Sequence, residues 1–306
     1  MAQRFPSVAL IGASGNLGPA LLQALREAQP PFESITILTR APPTNPGAFL
    51  SDVQVKVVDY ASAESVAAAL AGVDAIVSSV PARSVAAQKI IIDAAISAGV
   101  KFIVPSEFGL ASSDEKLNTD FENWRGKHEV QKYLSGLRAD GKIDYALLFT
   151  GLFLDWGMEG THGILLDPKN KRVQLWDGGN TPISFTTVRS IGKSVVGVLG
   201  GKAAGKTEVR VKDINLTQRR VYELATKVVG EEGWHVTEFD TIQGVAAAKE
   251  NIKNGKPDFT MAFLKRAVAV GGYGSLWDTE EDDSQSLGLR EWTEQDVTDL
   301  ITRLVK

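Results

Sequence analysis

The sequence predicts an α/β fold: a doubly wound parallel sheet with helices on both faces, followed by a smaller α+β region. Three observations lead there. Short apolar runs rich in β-branched residues alternate with helical-period segments through the first half of the 306-residue chain. The successive runs read as strands returning in parallel, which requires right-handed crossovers. The first run, Val8-Ala9-Leu10-Ile11, passes directly into a glycine loop and a helix start, where backbone N–H groups can meet a phosphate.

That loop is Gly12-Ala13-Ser14-Gly15-Asn16-Leu17-Gly18-Pro19. Glycine at 12, 15 and 18 permits a sharp turn and a close approach to a pyrophosphate, and Pro19 suits a helix start that needs no N–H there. Gly12, Ser14, Gly15, Asn16, Leu17 and Gly18 are the expected cofactor contacts; the alternative is a turn whose glycines serve packing alone. Leu17, Leu21, Leu22 and Leu25 recur at helical spacing, Gln29-Pro30-Pro31 ends the helix, and Ser34 to Thr39 is a second strand. An acid near the end of that strand would take a ribose 2′-hydroxyl, but no carboxylate lies between Ile35 and Leu50. Arg40 stands there instead. Its guanidinium suits a 2′-phosphate, so the expected cofactor is NADPH rather than NADH, unless Arg40 is simply a solvated strand-end charge.

Composition narrows the class. With 33 Lys and Arg against 37 Asp and Glu the net charge is -4, which offers no general attraction for nucleic acid or an anionic membrane. There is no Cys, and the three His, at 128, 162 and 235, are far apart, so no metal site is expected. The N-terminal residues carry no apolar export segment and no run is long enough to span a bilayer, so a cytoplasmic protein is expected. The expected partner is a small molecule, and the chain is expected to be a monomer or homodimer.

Beyond a Pro- and Gly-rich loop over 41–47, Val53 to Val58 is a third strand. Asp59-Tyr60 at its end either reaches the adenine side of a nucleotide or caps the next segment. Ser62 to Leu70 reads as a helix, Ala75 to Pro81 as a fourth strand with its exit, Val85 to Ala98 as a helix closed by Gly99, and Val100 to Val104 as a fifth strand. Ser79 and Ser106 follow the fourth and fifth strands, at the edge where such sheets hold ligands. Ser106 hydrogen-bonds a nicotinamide or substrate oxygen, or is a strand-exit turn residue; Phe108 walls the ring, or is a core aromatic.

Two strand exits carry a resemblance. Val104-Pro105-Ser106-Glu107-Phe108-Gly109 and the stretch from Tyr145 through Thr150-Gly151 to Trp156-Gly157, together with the glycine loop and Trp176-Asp177-Gly178-Gly179-Asn180, resemble the NmrA-like, isoflavone-reductase-like family of atypical short-chain dehydrogenases, closest to its fungal members. The resemblance implies a Rossmann-type domain, NADPH, and reduction of small aromatic or phenolic metabolites. Residues 1–155 are then the NADPH-binding domain and 156–306 the substrate domain, with a return to the sheet near 181–215.

Lys127 is the expected catalytic residue. From Asn123 to Leu137 the apolar residues Val130, Tyr133, Leu134 and Leu137 mark the inward face of a helix. Three residues back from Val130 is Lys127, and three more is Trp124, so the lysine extends a buried stripe at the helix's N-terminal end. Desolvation and the helix dipole there both disfavour the ammonium and favour proton exchange near neutrality; the alternative is a stem that carries its charge out to water. The resemblance implies the former, because a lysine in the matching helix of plant isoflavone, pinoresinol and phenylcoumaran reductases transfers the proton. The departure is His128-Glu129-Val130-Gln131-Lys132-Tyr133, where the plant enzymes carry paired basic residues. No Tyr is followed four residues later by Lys, so the ordinary tyrosine acid is not expected.

After Gly151, Phe153, Trp156, Met158 and His162 either wall a substrate or join the two domains. Arg172 to Trp176 and Ile183 to Val188 read as a hairpin around Gly178-Gly179-Asn180. Helices are expected over 189–199, 218–229, 245–254 and 259–270, a strand over 207–212, an acidic solvated loop over 279–283, and a terminal helix from Thr293 with a capping box to Asp296. The expected activity is an NADPH-dependent reduction with Lys127 as general acid or base; the second reading is a catalytically silent NAD(P) sensor acting through a protein partner. Arg40→Ala is expected to weaken NADPH binding by roughly 10-fold or more and NADH far less, the size of a lost charge-assisted contact. Titration with both nucleotides checks this, and equal weakening would remove Arg40 from the 2′-phosphate.

Overall fold

Strands β1 (Ser7–Ile11), β2 (Ser34–Thr39), β3 (Gln54–Val57), β4 (Ala75–Ser78), β5 (Phe102–Val104) and β6 (Asp144–Tyr145) form a parallel sheet in the order β3-β2-β1-β4-β5-β6. The structure, a computed structural model, describes residues 4–42, 52–80, 85–159, 164–256 and 261–306. Most of the loop expected over 41–47 and the start of the helix expected from Phe259 lie outside them.

The connecting helices are α1 (Gly18–Arg26), α2 (Ala63–Ala69), α3 (Val85–Ser97), a short α4 (Glu115–Asp120) and α5 (Glu122–Ala139). Side chains alternate across the sheet and feed two cores. Val8, Leu10, Ile37, Val77 and Val104 meet Leu21 and Leu25 of α1, together with Ile191 and Val195 of α6 (Val188–Leu199). Ala9, Ile11, Ile76 and Ile103 meet Val66 of α2, Ile91 and Ile92 of α3, and Val130 and Leu134 of α5. Helices therefore cover both faces.

The sixth expected strand is two. Ala146 interrupts it because the neighbour changes: β6 pairs with β5, whereas β7 (Leu147–Phe149) pairs in parallel with β12 (Glu208–Arg210). The chain then builds two small sheets, β14-β10-β9 and β13-β11-β8, from β8 (Leu152–Phe153), β9 (Leu166–Asp167), β10 (Arg172–Trp176), β11 (Pro182–Thr186), β13 (Ile214–Thr217) and β14 (His235–Phe239). The expected hairpin is absent: β10 pairs with β9 and β14, and β11 with β8 and β13. Its turn runs through three positive φ angles, at Asp177 (46°), Gly178 (82°) and Gly179 (68°), and sends the chain from one sheet to the other. The Gln218 amide oxygen accepts the Trp176 N–H, and Arg219 donates to the Gly178 carbonyl, fixing that route.

Helices α7 (Gln218–Val229), α8 (Thr241–Lys253), α9 (Ala262–Val270) and α10 (Glu294–Val305) complete the chain. The capping box of Thr293 and Asp296 is present. The acidic loop is less solvated than expected. Asp283 is buried, accepts the Arg210 N–H and an ammonium from Lys206, and thereby ties residues after α9 to β12.

Helices α1 and α6 pack through small residues. A Cβ on Gly192 would lie 2.7 Å from the Ala24 Cβ and 2.9 Å from the Ala20 carbonyl oxygen. Gly192→Ala is expected to cost about 1–3 kcal/mol, as overpacking does, which urea unfolding would measure against wild type.

Candidate active site

Every strand of the parallel sheet ends on one edge, where the glycine loop, Arg40, Ser79 and Ser106 follow β1, β2, β4 and β5. After β1, Gly12 has φ +87°, and a Cβ on it would sit 2.3 Å from the Ser79 carbonyl oxygen beyond β4. Gly18 packs as tightly against the Gly12 carbonyl. Ser14, Gly15 and Asn16 are exposed at the tip, while the Leu17 side chain is buried and its backbone begins α1. The α1 N-terminus has no side-chain cap, so first-turn N–H groups face the loop without a protein acceptor of that kind.

Arg40 is exposed at the end of β2. Beside it the Tyr60 hydroxyl donates to the Leu38 carbonyl, and burial pushes that phenol up to about 12 against the opposing charge of Arg40. Asp59 is exposed and accepts the Ala61 N–H, whereas the cap of α2 is Ser62. The Ser106 hydroxyl donates to the Val80 carbonyl at 2.6 Å, joining the exits of β5 and β4, and its N–H donates to Gln88.

A cavity of about 300 Å³ opens farther along this edge. Its walls include Phe108, Phe153, Trp156, Trp124 and Lys127. Lys127 has the place its helical spacing predicts, where the buried face of α5 passes from Val130 and Leu134 on the sheet to Trp124 in the C-terminal core. Its ammonium donates to the Glu107 carbonyl oxygen at 2.5 Å and lies 3.6 Å from the Glu107 carboxylate. The lone desolvated amine expected from sequence is thus a paired one.

Glu107 had no role in the sequence reading. Only its setting, an acid between a buried strand exit and Phe108, offered a signal. It is 3% exposed, and Gln131 and Ser112 both donate to its carboxylate. Leu110, Leu152, Ile164, Met261 and Leu264 complete much of the wall. The last two come from residues so distant in the chain that no local pattern marks them.

Phe108 has φ +34°, held by its N–H to the Leu148 carbonyl, and its ring reaches the cavity. Phe153 and Trp156 meet edge to face, with centroids 6.3 Å apart. Met158 is a correction: it is 1% exposed in the C-terminal core and is not a cavity wall, because the short 3-10 turn over Trp156–Met158 directs it inward. His162 lies outside the described residues. A larger groove, about 700 Å³, runs between α1 and α6, but it contains none of the residues the sequence assigns to cofactor or substrate.

The wall at Trp156 is anchored by two acids, the partly buried Asp155 and the buried Asp213. Asp155 accepts the Trp156 N–H and the Val188 N–H that begins α6. Asp213 accepts the Thr187 N–H at 2.7 Å and its hydroxyl at 2.8 Å. Burial raises both carboxyls, only partly offset by these donors.

Residues 6–238 match the profile of the NmrA-like family. The chain belongs to that family. A curated member-like relative, oxidoreductase aprR of Aspergillus flavus, is 27% identical over 305 residues, covering 98% of each chain. Among solved structures, the NADPH complex of an Escherichia coli NADPH-dependent quinone oxidoreductase is similar with a TM-score of 0.71 and 22% identity, over 96% of this chain and 99% of that one. The ternary complex of Vitis vinifera leucoanthocyanidin reductase has a TM-score of 0.73 and 19% identity, over 98% and 99%. These likenesses establish the same α/β fold.

The raised carboxyls of this NmrA-like chain make a signed prediction. Asp213 ionises in the unfolded chain near its ordinary 3.8 but resists ionisation when folded. Its charge therefore costs stability progressively as pH rises from about 4 through the raised folded value, and not below. Asp213→Asn removes that cost, so its stability relative to wild type should improve between pH 4 and 7. Chemical unfolding across that range reads the difference, and a flat or opposite slope would contradict it.

Proposed function

We propose that the chain is an NADPH-dependent reductase of a small aromatic or conjugated carbonyl or phenolic compound, with Lys127 as its general acid or base. The observation that carries this reading is an amine set in the wall of an aromatic cavity, on the sheet edge that also bears the glycine loop. The oxidoreductase designation of aprR and the nucleotide complexes of the quinone oxidoreductase support it.

The cradle fits a dinucleotide: the loop tip at Ser14, Gly15 and Asn16 is exposed, α1 has no side-chain cap, and Arg40 is exposed at the β2 end. Bound NADPH supplies the hydride. The chain's own residues do the rest. Phe108, Phe153 and Trp156 hold a flat ring and exclude water from it. Lys127 presents an N–H toward the cavity while the Glu107 carbonyl holds another of its protons, so a substrate oxygen reaching Nζ receives a directed proton. Hydride and proton together complete a two-electron reduction with no net charge left on the product.

Lys127→Ala is expected to retain NADPH binding and lose roughly 100-fold or more in kcat/KM, the span of general acid catalysis. A scan of aromatic carbonyl and phenolic compounds for NADPH oxidation, run on both proteins, tests it. Near-normal turnover in the variant would remove Lys127 from this role; tight NADPH binding without turnover on any compound would favour a sensor.

A further inference from the structure

We infer that Glu107 determines specificity: by pairing with Lys127 it makes the cavity electrically neutral, so the site takes uncharged aromatic compounds in preference to carboxylates, sulfonates or phosphates. The inference rests on the reading of the Lys127 cavity as the substrate site. Among the described residues that line it, Lys127 is the one with a charge. Alone, an ammonium among aromatic walls would make an anion site.

It is not alone. The Glu107 carboxylate, 2% exposed in its side chain, lies 3.6 Å from Nζ, itself on a side chain 14% exposed. The acid is fixed by Gln131 Nε2 at 3.0 Å and by the Ser112 hydroxyl, and Gln131 also donates to Ser112 at 2.8 Å. Asn118 in turn donates to the Ser112 carbonyl at 2.7 Å. Both carboxylate oxygens thus have a neutral donor, Gln131 on Oε1 and Ser112 on Oε2, so the acid stays in place as the counter-charge of Lys127.

An anionic ligand entering the cavity would lose its hydration and meet an ammonium whose charge is already answered. That is a net cost. An uncharged carbonyl or hydroxyl loses little on entry and still gains an N–H donor from Nζ. Glu107 thus acts through Lys127 and is a positioning and specificity-determining residue.

Three matched probes that carry no reducible carbonyl test this on protein saturated with NADPH, whose nicotinamide ring is uncharged: 2-naphthamide, 2-naphthoate and 2-naphthylmethylammonium, with binding measured by calorimetry. Wild type should bind the amide at least about 10-fold more tightly than either ion, in line with the cost of an uncompensated buried charge. Glu107→Gln, which leaves Lys127 unanswered, should gain about 10-fold for naphthoate with little change for the amide. Lys127→Met leaves the acid unanswered and should gain for the ammonium instead. The double variant is neutral again and should return to the amide preference.

Unchanged ion preferences in variants that still bind the amide would overturn the role of Glu107 while leaving the cavity assignment standing. Binding of none of the probes by wild type would overturn the cavity assignment, and the inference with it. If Glu107→Gln does not fold, Lys127→Met alone decides: without a gain for the ammonium, the acid is not the counter-charge.

Discussion

The backbone at the end of β7 is the constraint on which the second half of the molecule depends. There the Thr150 and Gly151 N–H groups both donate to the Gly109 carbonyl, clamping the exit of β7 to the exit of β5. Gly151 has φ +59°, and a Cβ on it would sit 2.0 Å from the Ser184 carbonyl oxygen, so β11 can approach only a glycine. The Thr186 hydroxyl closes the junction by donating to the carbonyls of Thr150 and Val211. Four segments distant in sequence thus meet at one junction. The cavity is a consequence, since Phe108 and Gly109 come from one side of this clamp and Gly151 to Phe153 from the other.

What could be read in the sequence follows from what is local. The alternation of strands and helices through Val104 was legible because each element buries one periodic set of side chains against the same sheet, as Leu21 and Leu25 or Val130 and Leu134 do. The position of Lys127 was legible for the same reason. The supposed hairpin around Gly178 failed because glycines report that a chain turns, not which neighbour it turns toward; the Gln218 and Arg219 side chains decide that, 42 and 41 residues beyond their partners Trp176 and Gly178. Met158 and Trp156 looked alike as apolar residues after a strand, and only the turn that separates their directions distinguishes core from wall. The C-terminal half of the cavity, Met261 and Leu264, depends on long-range packing that no window of sequence contains.

Two sets of acids, all at least partly buried, show how differently one fold treats the same functional group. Asp155 and Asp213 face backbone N–H groups and hydroxyls at the start of α6, where partial charges answer them incompletely and burial raises both. Their role is to hold α6 and the Trp156 turn together. Glu107 faces a full ammonium as well as two polar side chains. An acid paired in this way shares a cation that also lines the cavity, whereas an acid spent on helix N–H groups meets only backbone and hydroxyls. The chemistry of the site therefore follows from which partner each carboxylate meets.

The same contrast separates the two helices that lie side by side on one face of the sheet. The N-terminus of α6 is filled by the protein itself: Thr187 caps it, Asp155 takes the Val188 N–H, and Asp213 takes the Thr187 N–H and hydroxyl. A further anion would meet two carboxylates there. The N-terminus of α1 begins at Leu17, whose side chain cannot cap and is buried, after a loop whose tip is exposed. Its first-turn dipoles are left for an anion from outside the chain. Helices α1 and α6 pack closely through Gly192 and Ala24, and of these two N-termini only that of α1 is left without a side-chain cap. Selectivity between the helices thus comes from the self-capping of one as much as from the glycines of the other.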